Sequence, residues 1–129
     1  VRDIFSQCKM DEVFSSDDPL DLKMNWDQVC ALSENPLFTV GGHSHHHSIL
    51  SFLSPADLEE EVRTSVELLK ECVEITPIHY SYPEGLAHCY SPEVITVLKK
   101  YGIICCPTAE DGLNSHGTEL FHLKRIFVV

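Results

Sequence analysis

Four histidines fall within five residues, at His43, His45, His46 and His47, directly after Gly41-Gly42 and the short apolar run Leu37-Phe38-Thr39-Val40. Imidazole is the side chain best suited to hold a borderline divalent metal at neutral pH, because one ring nitrogen keeps a free lone pair. An apolar run that ends in such residues reads as a buried strand presenting ligands at its C-terminal end, where α/β folds gather their active sites. If the loop turns into a helix, His43 and His47 share a face and can grip one ion. His43 and His46 are also geometrically acceptable, and spacing alone leaves both pairs open. The run is internal, interrupted by Ser44 and flanked by core-like segments, so it is not a purification tag. The bland alternative is a solvated loop with incidental histidines.

Helix signals surround this loop. Asn25 can cap a short helix over Trp26–Leu32, ended by Pro36. Ser54-Pro55-Ala56-Asp57 is a strong helix start, with Ser54 at the cap, Pro55 in the first helical position and acid in the first turn. Leu58, Val62, Val66, Leu69 and Val73 follow as one apolar stripe. Ser91-Pro92-Glu93 repeats the start signal, Val94, Val97, Leu98 and Tyr101 give the stripe, and Gly102 supplies the stop. Strands are predicted at Phe38–Val40, Pro77–Pro83, Ile103–Cys106 and Lys124–Val129, with turn chemistry over Asp111–Asn114. The stretch from Val1 to Leu22 reads as irregular. Alternating strands and helices imply an α/β fold with a parallel sheet. There is room for about four βα units of a full eight-unit barrel, which needs roughly 250 residues.

Composition narrows the function classes. The 129 residues are read as one domain, and 43% hydrophobic content suits a globular chain. No apolar run approaches the ~20 residues that span a bilayer, and Val1-Arg2-Asp3-Ile4 has no signal-peptide core. The formal net charge of −11 argues against a nucleic-acid partner. The acids Asp57, Glu59, Glu60, Glu61, Glu67 and Glu71 are expected on the solvated face of one helix. Cys8, Cys30, Cys72, Cys89, Cys105 and Cys106 contain no pair with the gap of a zinc ribbon or redox motif. Read as free, partly buried thiols, they lean toward a reducing, cytoplasmic compartment.

Several motifs arrive in a recognisable order. Trp26-Asp27-Gln28-Val29 precedes Gly42-His43-Ser44-His45-His46-His47, then Leu53-Ser54-Pro55-Ala56-Asp57-Leu58-Glu59-Glu60-Glu61, then Tyr80-Ser81-Tyr82-Pro83-Glu84-Gly85, then Leu123-Lys124-Arg125-Ile126. From Trp26 to Val129 this series resembles the polysaccharide deacetylases, the NodB-homology carbohydrate esterases of family 4. The resemblance implies a partial, deformed (β/α) barrel, here its C-terminal part. It implies hydrolysis of N- or O-acetyl groups on a sugar or polysaccharide. It selects His43 and His47 as ligands of a divalent metal, most often zinc. It places Tyr82, Pro83 and Glu84 in the wall of a substrate groove.

The departures are equally informative. In the family a third ligand and a catalytic base are adjacent aspartates on the first strand. Here only Ser16-Asp17-Asp18 resembles that motif. Asp18 precedes His43 by less than one βα unit of roughly thirty residues, and no apolar strand carries the pair. The expectation is therefore that the base aspartate and the first strands lie upstream of this chain. No Arg stands in the groove motif, where Ser81 lies between Tyr80 and Tyr82, and no clear family acid motif surrounds His122. His79 reads as a strand residue, and His88 and His116 as loop residues. Arg125 is either a partner of a catalytic carboxylate or a strand-edge charge. An incomplete barrel would leave the Phe38–Val40 edge open, so a homodimer or another self-association is expected. The competing readings are a non-catalytic deacetylase-like module that binds a sugar or a partner, and a metal-binding protein that also uses His45 and His46.

Overall fold

The computed structural model describes residues 22–128. Asp17, Asp18 and all but the last residue of the irregular segment expected over 1–22 lie outside the described residues.

The helices begin where their caps dictate. Helix α1 (Trp26–Glu34) opens on a reciprocal capping box. The Asn25 side chain accepts from the Gln28 amide, and the Gln28 side chain accepts from the Asn25 amide, both at 2.9 Å. The helix runs two residues past the expected Leu32 and stops before Pro36. Helix α2 (Pro55–Val73) starts after Ser54, whose hydroxyl accepts from the Asp57 amide. Its buried side is the expected stripe of Leu58, Val62, Val66, Leu69 and Val73. Helix α3 (Pro92–Lys100) starts after Ser91 and buries Val94 and Leu98. Gly102 follows it at φ +84°, a left-handed conformation that glycine adopts without a Cβ clash. A single 3₁₀ turn, Leu50–Phe52, leads from the histidine loop into α2.

The extended segments lie side by side in parallel. Gly42 bridges Tyr80, His79 bridges Cys105, and strand β1 (Pro107–Asp111) pairs with β2 (Leu123–Arg125) in an irregular register. All four expected strands are shorter than the sequence suggests, Ile103–Cys106 being reduced to a bridge at Cys105. Among the described residues Phe38 has no strand partner; its amide closes a turn onto the Asn35 carbonyl at 3.0 Å, and the chain joins the sheet at Gly42. A ladder needs partners, and among the described residues Gly42 has one on a single side. The segment at Pro77–Pro83 is reduced to bridges at His79 and Tyr80. The last strand ends at Arg125, and Ile126, Phe127 and Val128 are exposed. Conversely, β1 was invisible as a strand, because Pro-Thr-Ala-Glu-Asp buries only Thr108.

Alternation gives the sheet two unlike faces. Gly42, Tyr80, Tyr82, Cys106 and Thr108 point toward the helices and are buried. Of these, Tyr80, Tyr82 and Cys106 form the core with Leu50, Leu58, Val62, Val94, Leu98, Ile103 and Phe121. Full burial of a side chain such as Leu50 or Leu98 contributes about 1.5–3 kcal/mol. Gly41, His43, His79, Ser81, Cys105 and Pro107 point the other way and line an open depression of about 330 Å³. Burial pushes the Cys106 thiol up to about 12, so it stays a neutral apolar filler. All the cysteines among the described residues are free.

The acids of α2 do not all lie on a solvated face. Glu60 and Glu67 do pair with Arg63 on the surface, but Glu59 accepts from Lys100 and Tyr101 of the neighbouring element. Glu61 is only 6% exposed and faces the histidine loop.

Candidate active site

The histidine loop is fixed from three directions. From the sheet, the buried Tyr80 phenol accepts from the Ser44 amide at 2.8 Å and lies 2.8 Å from the Ser65 hydroxyl of α2. Burial pushes that phenol up to about 12, so it remains a neutral bridge. From α2, one Glu61 oxygen accepts from the His45 amide at 2.9 Å and the His46 amide at 2.5 Å. The other oxygen stands 2.9 Å from His46 Nδ1. From within the loop, Ser44 and His47 both take left-handed φ values, +62° and +59°. Such a conformation costs a non-glycine residue roughly 1–2 kcal/mol, and it persists only where the surroundings enforce it.

Burial alone would raise the Glu61 carboxyl. The His46 ring and the amides of His46 and His45 outweigh burial and hold it below the ordinary 4.5. A carboxyl depressed in the folded state adds stability above its unfolded pKa and loses it as pH falls through the folded value. Glu61→Ala should therefore lower stability at neutral pH by about 1–3 kcal/mol, the cost of orphaned donors, read as the urea midpoint. The smaller deficit of Glu61→Gln should shrink as pH drops below 4.5.

His43 is exposed, yet its ring is oriented. Nδ1 lies 2.9 Å from the Ser81 carbonyl and 2.8 Å from the Ser81 hydroxyl. A carbonyl can only accept, so Nδ1 donates to it, and in the neutral ring Nε2 is then the nitrogen with the free lone pair. This is the usual way a protein orients an imidazole ligand. The His47 ring stands edge-on to it, with centroids 4.9 Å apart and planes at 67°. Two imidazoles on one tetrahedral zinc, at Zn–N of about 2.0–2.1 Å, have centroids roughly 5 Å apart. The spacing of the pair is compatible with the metal that the family resemblance implies. Among the described residues no cluster of three or more His, Cys, Asp or Glu side chains could hold an ion. Among the described residues the buried Ser44 hydroxyl has no hydrogen-bond partner.

The other sequence-selected residues separate. Tyr82 and Pro83 are buried, and the Tyr82 hydroxyl donates to the Phe121 carbonyl at 3.1 Å. Glu84 is exposed at φ +60°, and the turn it shares with Gly85 packs on β1 through the Ala109 amide to Gly85 carbonyl bond of 2.8 Å. Arg125 Nε donates to the Thr108 carbonyl at 2.5 Å, and among the described residues its guanidinium has no acidic partner. His79 lines the depression beside His43. His88 stacks on Phe52, His116 is exposed, and His122 stands 3.0 Å from Glu119.

A family model described as polysaccharide deacetylase matches residues 5–105. The chain belongs to the polysaccharide deacetylase family. Comparison with curated proteins gave no match. Among solved structures, the deacetylase PplD of Streptococcus pyogenes, in complex with acetate, superposes with a TM-score of 0.75 at 19% identity. That alignment covers 86% of this chain and 47% of the other. The BpsB deacetylase domain of Bordetella bronchiseptica gives 0.73 at 18% identity, over 89% and 53%. A polysaccharide deacetylase of Bacillus cereus gives 0.69 at 19% identity, over 97% and 42%. The chain thus spans about half the length of these structures. Its α/β architecture with a parallel sheet is part of the deformed (β/α) barrel they share.

Glu61, Tyr80 and Ser81 are functional supports that motif reading alone overlooked. Glu61 could have been found: it ends the Leu-Ser-x-x-acid-Leu-x-x-Glu motif and lies three residues after Leu58, inside the apolar stripe.

Proposed function

We propose that this chain supplies the histidine half of a metal-dependent deacetylase that hydrolyses N- or O-acetyl groups on a sugar or polysaccharide. The observation that carries this reading is the His43 ring, held by Ser81 with Nε2 free beside His47. His43 and His47 would hold the ion, preferably zinc, with an aspartate from the N-terminal part of the barrel as third ligand. When bound, the ion polarises the acetyl carbonyl and lowers the pKa of a water. Ser81 keeps the His43 lone pair aimed out of the loop. Glu61 and Tyr80 keep the loop from relaxing. The depression beside His43 leaves room for an acetyl group, in keeping with the acetate that accompanies the streptococcal deacetylase. Glu84 lies on the exposed rim of the Tyr82–Glu84 turn and would meet the sugar, with Tyr82 and Pro83 supporting that turn from below. The general base is a second aspartate from the same N-terminal part of the barrel, a role not given to Asp17 or Asp18.

A base contributes typically 10²–10⁴-fold. These 129 residues alone should therefore release acetate from an acetylated chitooligosaccharide slowly, even with zinc added. Robust zinc-dependent release would instead make Asp17 and Asp18 the missing carboxylates.

The second reading, a deacetylase-like module that binds a sugar or partner without turnover, is favoured by the lack of a third acidic ligand among the described residues. Sugar binding without acetate release by the complete barrel would support it.

Leu37 and Phe38 are 85% and 52% exposed, and among the described residues Gly42 pairs on one side alone. We expect sedimentation to show concentration-dependent self-association of the chain. A monomer at high micromolar concentration would count against this.

A further inference from the structure

A metal at His43 and His47 engages one acetyl group, whereas a polysaccharide continues on either side of the sugar that carries it. We infer that Phe52 and His88 form an aromatic platform for a neighbouring β-linked pyranose ring of the same glycan, an inference that rests on the polysaccharide reading above.

The first argument is place. Gly42 and Tyr80 are neighbours on parallel segments, so the chain leaves the sheet after each of them at the same end. From Gly42 it passes through the histidine loop to the 3₁₀ turn Leu50–Phe52 and on into α2. From Tyr80 it passes through the Tyr82–Glu84 turn to His88 and on into α3. Phe52 and His88 therefore stand at the C-terminal end of the strands, where (β/α) barrels bind their substrates. The two connections are tied together. The Ser51 hydroxyl donates to the His88 carbonyl at 2.5 Å, and the Ser51 amide donates to the Cys89 carbonyl at 3.4 Å. Each ring also lies within two residues of a fully buried anchor, Leu50 for Phe52 and Cys89 for His88.

The second argument is shape. The two rings stack with centroids 6.0 Å apart and planes at 23°. Phe52 is nonetheless 70% exposed and His88 is exposed, so the pair offers a flat apolar surface to solvent. A single exposed apolar side chain is ordinary. Two rings fixed against each other from two tethered loops have already lost freedom that binding would otherwise remove. A β-pyranose matches such a surface, because its axial C–H bonds form a flat apolar face that packs on the negative face of an aromatic ring. Charge favours the same occupant. Glu84 is exposed on the connection that carries His88, and the chain bears a net charge of −11, which disfavours acidic polymers and anionic membranes but not a neutral or amino-bearing sugar.

The test compares a β-linked N-acetylglucosamine tetramer with the single sugar, both titrated into the metal-free chain and followed by saturation-transfer NMR. The tetramer should bind about 5-fold tighter than the single sugar, the gain of one aromatic stacking contact, with saturation strongest at its axial C–H protons. Phe52→Ala should erase that preference. Phe52→Leu should erase it too, since it keeps apolar bulk without a flat face, and Phe52→Trp should preserve it. Phe52 is exposed, so these variants should fold, which circular dichroism checks. No binding of the tetramer, or a preference unchanged by Phe52→Ala, would overturn the platform. Zinc binding at His43 and His47 is measured separately: its loss leaves a Phe52-dependent preference standing, and its persistence without that preference overturns the platform alone.

Discussion

Gly42→Ala should cost about 3 kcal/mol or more and release the histidine loop. A Cβ at Gly42 would stand 2.3 Å from both Cδ2 and Cε2 of the Tyr80 ring. The ring has nowhere to go. It is 2% exposed, packs in the core and is bonded through its hydroxyl to Ser44 and Ser65. Overpacking a fitted core typically costs 1–3 kcal/mol, and here the relief would also break two hydrogen bonds. Gly42 is thus required for close approach rather than for a special dihedral. Urea denaturation, with near-ultraviolet circular dichroism of the tyrosines, reads both parts. A wild-type midpoint would show that Tyr80 does not sit against Gly42.

The second large effect concerns the metal. His43→Ala should weaken zinc binding by about 100-fold or more, since loss of an outer partner alone costs 10–100-fold. Stability should hardly change, because His43 is exposed and its substitution is expected to fall within about ±0.5 kcal/mol. Ser81→Ala should be milder, about 10-fold, because the Ser81 carbonyl remains to orient the ring. Calorimetry with zinc and thermal unfolding separate these two readouts.

The helices were legible because their signals are local. Asn25, Ser54 and Ser91 each satisfy an amide within three residues, and the stripe from Leu58 to Val73 follows from period alone. The sheet was less legible because pairing depends on distant partners. Phe38–Val40 has strand chemistry but no neighbour to pair with among the described residues, whereas Pro107–Asp111 has little strand chemistry and a partner in Leu123–Arg125. The candidate ligands were legible from residue type and motif. Their supports were not, because Tyr80 and Ser81 act across 36 and 38 residues of chain. Glu61 was partly legible: Glu59 and Glu60 share its chemistry, and its place three residues after Leu58, inside the apolar stripe, is what marks it as the one that faces inward.

The claim at the centre is that His43 and His47, and not their neighbours, hold the deacetylase metal. X-ray absorption at the zinc edge, on the chain loaded with less than one equivalent, addresses it directly. Two imidazole nitrogens at about 2.0–2.1 Å are expected. Replacing His43 and His47 with alanine should abolish that signature, and replacing His45 and His46 should preserve it. A signature that survives the first replacement and disappears with the second would contradict the assignment.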